Sequence, residues 1–335
     1  MNKKIVALAV AAAFAIPAAA SAQTTLFGQF KYEVGYIDGG TGVFDEDDNL
    51  VGVENADNNF VHSTRGTRIG IMGSEDLGGG LTGIFRFQSG LGGNPNSGMT
   101  SGSWTMNEEN WVGLRGGFGT LQLGRSDTAI KKTGGNQFRI FVDTLAEPSL
   151  APDARGQRAE GIHYTSPNIQ GFTGYLTLEP NGDGTDTYWA LGAAWQGGPF
   201  WVGGAYESSP DAGTFAAGDI GDDESNWQLG VKWNHGQGDL GLLYQAREDG
   251  DDDHWTLVGS FKVLPNVNLR AAVKYVDPDV GDDFTNFGIG AQYMFSPRTE
   301  AFVNVWVDDQ IGLTPAGANT ADDSTQFGLG VRHSF

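Results

Sequence analysis

The sequence of 335 residues contains no cysteine, so neither disulfides nor thiolate metal sites can hold it together. Proline is scarce at 12 residues, and histidine scarcer at five. Basic residues are few as well: 20 lysines and arginines stand against 41 aspartates and glutamates, a net charge of -21. Such an acidic chain repels phosphate, which excludes nucleic acid as a partner. Long apolar runs are also missing beyond Gln23, because charged or turn residues interrupt each one well short of the ~20 residues that a helical bilayer span requires.

The one sustained apolar stretch lies at the start, in MNKKIVALAVAAAFAIPAAASAQ. Lys3 and Lys4 form a basic region, Ile5 to Ile16 an apolar one, and Ala20-Ser21-Ala22 a small-residue cleavage site. Residues 1–22 therefore read as a secretory signal removed before Gln23, leaving residues 23–335 as the mature domain. An exported chain without cysteine must rely on hydrogen bonds and packing.

What is abundant is glycine, 52 residues, together with 20 phenylalanines, nine tryptophans and nine tyrosines. They sit in short alternating runs. In TTLFGQFKYEVGYI, Leu26, Gly28, Phe30, Tyr32, Val34 and Tyr36 share one face, while Gln29, Lys31 and Glu33 share the other. The same period continues from TRIGIMG to QFGLGVRHSF and predicts roughly sixteen strands. Their connections alternate between brief turns such as EDLGGG, HGQGD and SPRT and long polar segments such as DEDDN, EDGDDD and IGLTPAGANTADD. Even strand number and one-sided loop length together predict an all-β fold: a transmembrane antiparallel β-barrel with short periplasmic turns and long extracellular loops. A soluble sandwich needs no such rule. Closure of the last strand on the first would also seat the terminal Phe335 ring at the bilayer interface.

Strand parity then sorts the charges. Lys31, Arg68, Arg86, Arg115, Lys232, Lys262, Arg270, Lys274 and Arg332 point inward, against Glu33, Glu109, Glu179 and Glu207. A cation facing hydrocarbon near the midplane costs roughly 2–4 kcal/mol, so confinement to the lumen follows from the bilayer, but the basic excess does not.

The stretches TTLFGQFKYEVGY, TRIGIMGSEDLGGGLTGIFRFQSG, NEENWVGLRGGFGTLQLGRSD, EGIHYTSPNIQGF and FGLGVRHSF resemble the Gram-negative general porin family. The resemblance implies a sixteen-stranded, homotrimeric barrel of the outer membrane. It further implies a third long loop folded into the channel, passive diffusion of small hydrophilic solutes and ions, and no cofactor. A last strand ending in Phe335 would be read by the barrel-insertion machinery. In this sequence the third loop runs from beyond Arg125 to about Arg158, with Phe138, Ile140, Phe141, Val142 and Leu145 as apolar anchors.

At the constriction, Arg68 and Arg125 match positions where family members carry arginines, and Arg86 is placed by parity. They are expected to face loop carboxylates drawn from Asp127, Asp143, Glu147 and Asp153, with Lys31 and Arg115 on the adjoining lumen wall. Arg125 falls on the outward parity and must turn in through the start of the loop. Opposed charges across a narrow water-filled passage orient dipolar solutes and exclude apolar ones. The expected channel is mildly anion-favouring beneath an acidic mouth, whose carboxylates repel lipopolysaccharide or hold divalent cations bridging to it. EDGDDDH lacks the ligand spacing of a calcium loop, so no metal site is assigned.

Two other functions compete. A barrel hydrolase needs a nucleophile within reach of a base. His62, His163 and His254 lie near strand ends, His235 at a turn and His333 on the outward face, none beside a nucleophile motif, and no enzyme is expected. A substrate-specific channel lines its path with aromatics, and here only Trp201 and Trp306 fall inward.

Overall fold

A strand with one apolar and one polar face has no tolerable edge inside a bilayer, because unpaired backbone groups find no water there; the sheet must close. The computed structural model of the chain closes it. Residues 23–44, 50–91, 108–145, 147, 158–180, 187–209, 224–247, 253–278, 282–309 and 324–335 are described. The signal segment and Asp153 lie outside them.

The wall begins with β1 (Gln23–Phe44), β2 (Leu50–Ser63) and β3 (Arg68–Gly78). Residues 33–44 of β1 pair with β2, and residues 23–29 with β3. β2 and β3 are thus two halves of one wall strand, broken at residues 64–67, and the seventeen segments make a sixteen-stranded wall. Next come β4 (Leu81–Gly90), β5 (Asn110–Gly116), β6 (Gly119–Asp127), β7 (Arg158–Thr165), β8 (Phe172–Pro180) and β9 (Thr187–Gly197). They are followed by β10 (Phe200–Ser209), β11 (Glu224–Asn234), β12 (Asp239–Arg247) and β13 (Asp253–Leu264). The circuit ends with β14 (Val267–Asp277), β15 (Phe284–Ser296), β16 (Thr299–Asp308) and β17 (Ser324–Ser334). β17 closes antiparallel on β1, with Lys31 opposite Arg332 and Tyr32 opposite Val331.

The outer surface is the apolar parity. Leu26, Phe30, Phe60, Leu191, Leu229, Ile289 and Leu329 all keep their side chains exposed there. Aromatic rings gather at its two rims. At the long-loop end Trp227, Tyr244 and Trp255 pack in series, with ring centroids 4.9 and 4.4 Å apart. At the short-turn end Trp233, His235 and Phe261 do the same, at 5.7 and 5.8 Å. Two such belts bracket a hydrocarbon band. Phe335 joins the lower rim: its backbone N–H and C=O both bond Gly28, and its ring lies over that glycine, where a Cβ would come within 2.6 Å of it.

The packed core sits inside the barrel, where the third long loop meets the wall. Thr128 caps a short helix α1 (Ala129–Thr133) by accepting from the Lys131 N–H, and α2 (Gly135–Phe138) follows directly. α1 packs through Ala129 and Ile130 on Tyr188, Ala190 and Ala205, and the two alanines let the helix approach the wall. Beyond it, Phe138 fills a notch left by Gly230 and Gly241, and Phe141 one left by Gly290. Leu243, Val258, Ala272 and Trp306 complete this layer.

Candidate functional site: the lumen constriction

Past Phe138 the loop crosses the barrel in an irregular stretch whose carbonyls have no ladder partner and need donors. Wall cations provide them. Arg270 Nη1 donates to the Ile140 carbonyl at 2.7 Å, Arg332 Nη2 to that of Val142, and Lys31 Nζ to that of Asp143. Lys31 also pairs with Glu33 at 2.8 Å, and Glu33 accepts the Leu145 N–H at 3.0 Å. Between these ties Phe141 is fully buried, with the Arg270 guanidinium 5.3 Å from its ring centre and Trp306 edge-on at 6.2 Å.

The loop tip is knotted by two carboxylates. Asp143, in a left-handed conformation with φ of 60°, has Oδ2 3.2 Å from the donating Gln29 amide and 3.8 Å from Arg68. Glu147 accepts from Arg139 and from the Asp143 N–H, both at 2.6 Å, and lies 3.7 Å from Arg65. Two wall arginines at the β2–β3 break therefore meet two loop carboxylates.

The other expected residues fall elsewhere. Arg86 faces the lumen but pairs with Glu109 at 3.0 Å and covers the Phe27 ring at 4.6 Å, instead of meeting loop three. Arg115 shares that face nearer the short turns and is exposed. Asp127 is the last residue of β6 and ties the loop stem, at 3.0 Å from Lys131 and 3.4 Å from Arg158. Arg125 stands on the outward parity of β6, opposite Asn110 and Glu160. Lys31 does point inward, yet loop three covers it completely. His163 and His254, which the sequence places near strand ends, are buried on the inner face. The His163 ring lies 3.0 Å from the Ala159 carbonyl and 3.3 Å from Thr177 Oγ1.

Arg65 and Arg139 were not foreseen. The signal for Arg65 was present in STRGT, a turn motif inside an otherwise extended segment, where Gly66 takes a φ of 78°. Loop three's helix α1 carries two lysines, Lys131 and Lys132, whose burial pushes both ammonium groups below their ordinary pKa; Asp127 opposes the shift in each.

A closed strand wall with two aromatic belts, an inward loop and opposed charges at that loop's tip defines an outer-membrane channel. The chain belongs to the Gram-negative porin family, whose model matches residues 7–310. It is 28% identical over 355 residues to the major outer membrane protein P.IB of Neisseria meningitidis serogroup B / serotype 15 (strain H44/76), covering both chains fully. A Neisseria gonorrhoeae protein of the same name is 32% identical over 190 residues, 54% of this chain and 49% of that one. Among solved structures, the anion-selective porin from Comamonas acidovorans superposes with a TM-score of 0.73 at 21% identity, over 94% of this chain and 100% of that one. The trimer form of OmpT, an outer membrane protein of Vibrio cholerae, gives 0.66 at 16%, over 94% and 100%. The protein is thus an outer-membrane porin, a water-filled passage for small hydrophilic solutes and ions.

Proposed function

We propose that this porin works as a homotrimer and passes anions mildly better than cations, the bias being set by Arg65, Arg68 and Arg86. One observation carries the selectivity. In the ion pairs these three arginines make, the guanidinium is the wetter partner: 28% against 10% of the side chain for Arg68 and Asp143, 28% against 19% for Arg86 and Glu109, and 17% against 3% for Arg65 and Glu147. A permeating ion therefore meets cationic ends, while Asp143 and Glu147 are turned into the loop and Glu109 is the drier partner of Arg86. Charged rings bias passage in this way. Lys31, Arg270 and Arg332 are occupied by loop carbonyls and add less.

The trimer is supported by the solved trimer form of the Vibrio cholerae protein. Phe335, tied to Gly28 at the rim, is the residue we assign to recognition by the insertion machinery, and the acidic long loops are assigned to the lipopolysaccharide surface. A hydrolase gains nothing from His163, whose ring is already held by Thr177 and a carbonyl.

Planar-bilayer recording of the purified protein tests both parts. Conductance should appear in groups of three equal steps, and the reversal potential in a potassium chloride gradient should carry the sign of anion preference. A cation-signed potential refutes the selectivity, and single isolated steps refute the trimer.

A further inference from the structure

The two arginines that clamp loop three from the periplasmic side use only one edge of their guanidinium groups. Arg270 gives Nη1 to the Ile140 carbonyl and Nη2 to Asn304 Oδ1 at 3.2 Å. Arg332 gives Nη2 to the Val142 carbonyl and places Nη1 3.7 Å from Glu300. Their Nε–H groups are buried without a hydrogen-bond partner, and so is the Nδ2 of Asn304, a residue only 1% exposed. All three orphaned groups are donors. They come from wall strands β14, β16 and β17; the two arginines hold one loop segment, residues 140–142, and Asn304 contacts Arg270. Arg270 is within electrostatic range of both Arg332 and Glu300.

Buried donors left unpaired cost on the order of 1–3 kcal/mol each, more when charged, so a cluster of them calls for an acceptor. Two guanidinium groups outweigh the single carboxylate of Glu300, itself engaged by the Gln292 amide. An acceptor bearing negative charge fits that balance better than neutral water. Arg332 and Glu300 keep 18% and 12% of their side chains exposed, so the lumen reaches the cluster. Arg270 and Arg332 stand near the short-turn end of their strands, with Asn304 further up β16 at mid-strand.

We infer that Arg270, Arg332 and Asn304 form a binding site for a small oxyanion, a phosphate or carboxylate group, which three N–H donors hold against the underside of loop three. The oxygens of a carboxylate or a phosphate both accept from guanidinium N–H groups, and their charge strengthens each bond. The site rests on the channel reading but is separate from the preference set at the eyelet. An anion held here would also brace loop three, since the same guanidinium groups hold its carbonyls.

Inorganic phosphate is the probe. Added from each side in turn to channels conducting potassium chloride, it should reduce the current at lower concentration from the short-turn side. Asn304→Asp keeps an oxygen for Arg270 while removing the Nδ2 donor and adding repulsion, and should raise the phosphate concentration for half-block at least tenfold. Arg332→Lys, which keeps a cation but lacks the Nε–H, should raise it in the same direction and serves if the first variant fails to insert. Arg86→Gln should move the reversal potential and leave the block from the short-turn side in place. Absence of block in the wild type, or an unchanged half-block concentration in a properly inserted Asn304→Asp or Arg332→Lys channel, overturns the site. The sign of the chloride reversal potential, read separately, decides the eyelet proposal.

Discussion

Gly66 shows how much of the constriction depends on single atoms. Its φ of 78° and the side chain of Asp143 lying against it leave no room for a Cβ. Gly66→Ala should displace Asp143 from Arg68 and cost about 1 kcal/mol or more. It is measured as a lower temperature for the loss of the folded band in detergent electrophoresis, with noisier single-channel currents. Glu147 is the second such point, since it neutralises Arg139 and holds the Asp143 N–H while almost fully buried. Glu147→Gln leaves a buried guanidinium underpaired, a change worth about 3 kcal/mol. The open-channel conductance should rise as the tip detaches. At this scale the sequence was only partly legible. Parity placed Arg68, Arg86 and Lys31 inward, but it cannot tell which inward cation another segment will cover, so Lys31 read as lumen-lining when it is a loop anchor.

Among the elements, strands were far more legible than the loop that shapes the channel. A strand in a bilayer reports its two solvents through a period of two, and β3 to β17 carry that period plainly. The extension of β1 to Phe44 and its partner β2 do not, because in VENADNN, residues 53–59, polar residues fall on both parities of the sequence. Loop three offered its apolar anchors in advance, Phe138 and Phe141 among them, yet not α1 or the glycine notches that receive the rings. Those notches are set by residues 90 to 150 positions away, Gly230, Gly241 and Gly290, and no local pattern records them. The clamp built on this loop makes its own prediction. Arg270→Gln removes the charge-assisted bond to Ile140 and the contact with the Phe141 ring, so loop three should detach more readily under applied voltage. Channel closure should begin at lower voltage than in the wild type, whereas Arg115→Gln, on the far wall, should leave that threshold where it was.

For the whole molecule, the proposed anion preference and the net charge of -21 pull in opposite directions, and distance decides between them. The acids concentrate in the long connections, as in DEDDN, EDGDDD and the aspartates after Asn319, whereas the exposed guanidinium groups lie within the barrel. Ions screen the two sets unequally. At ~1 M salt the Debye length is about 3 Å, so a permeating ion responds to the arginines it passes and hardly to the carboxylates of the long connections. At ~0.01 M it is about 30 Å, the thickness of the hydrocarbon core, and the acidic rim then acts on the eyelet as well. Anion preference should accordingly be largest in concentrated salt and shrink, or change sign, as the baths are diluted at a fixed concentration ratio. Arg68→Gln and Arg86→Gln should each lower the preference at high salt, where local charge dominates, and their effects should be proportionally smaller at low salt. Reversal potentials taken across one gradient ratio at several mean concentrations separate the two fields. An anion preference that grows on dilution would show that the acidic connections do not reach the eyelet and that the wall arginines alone set the field.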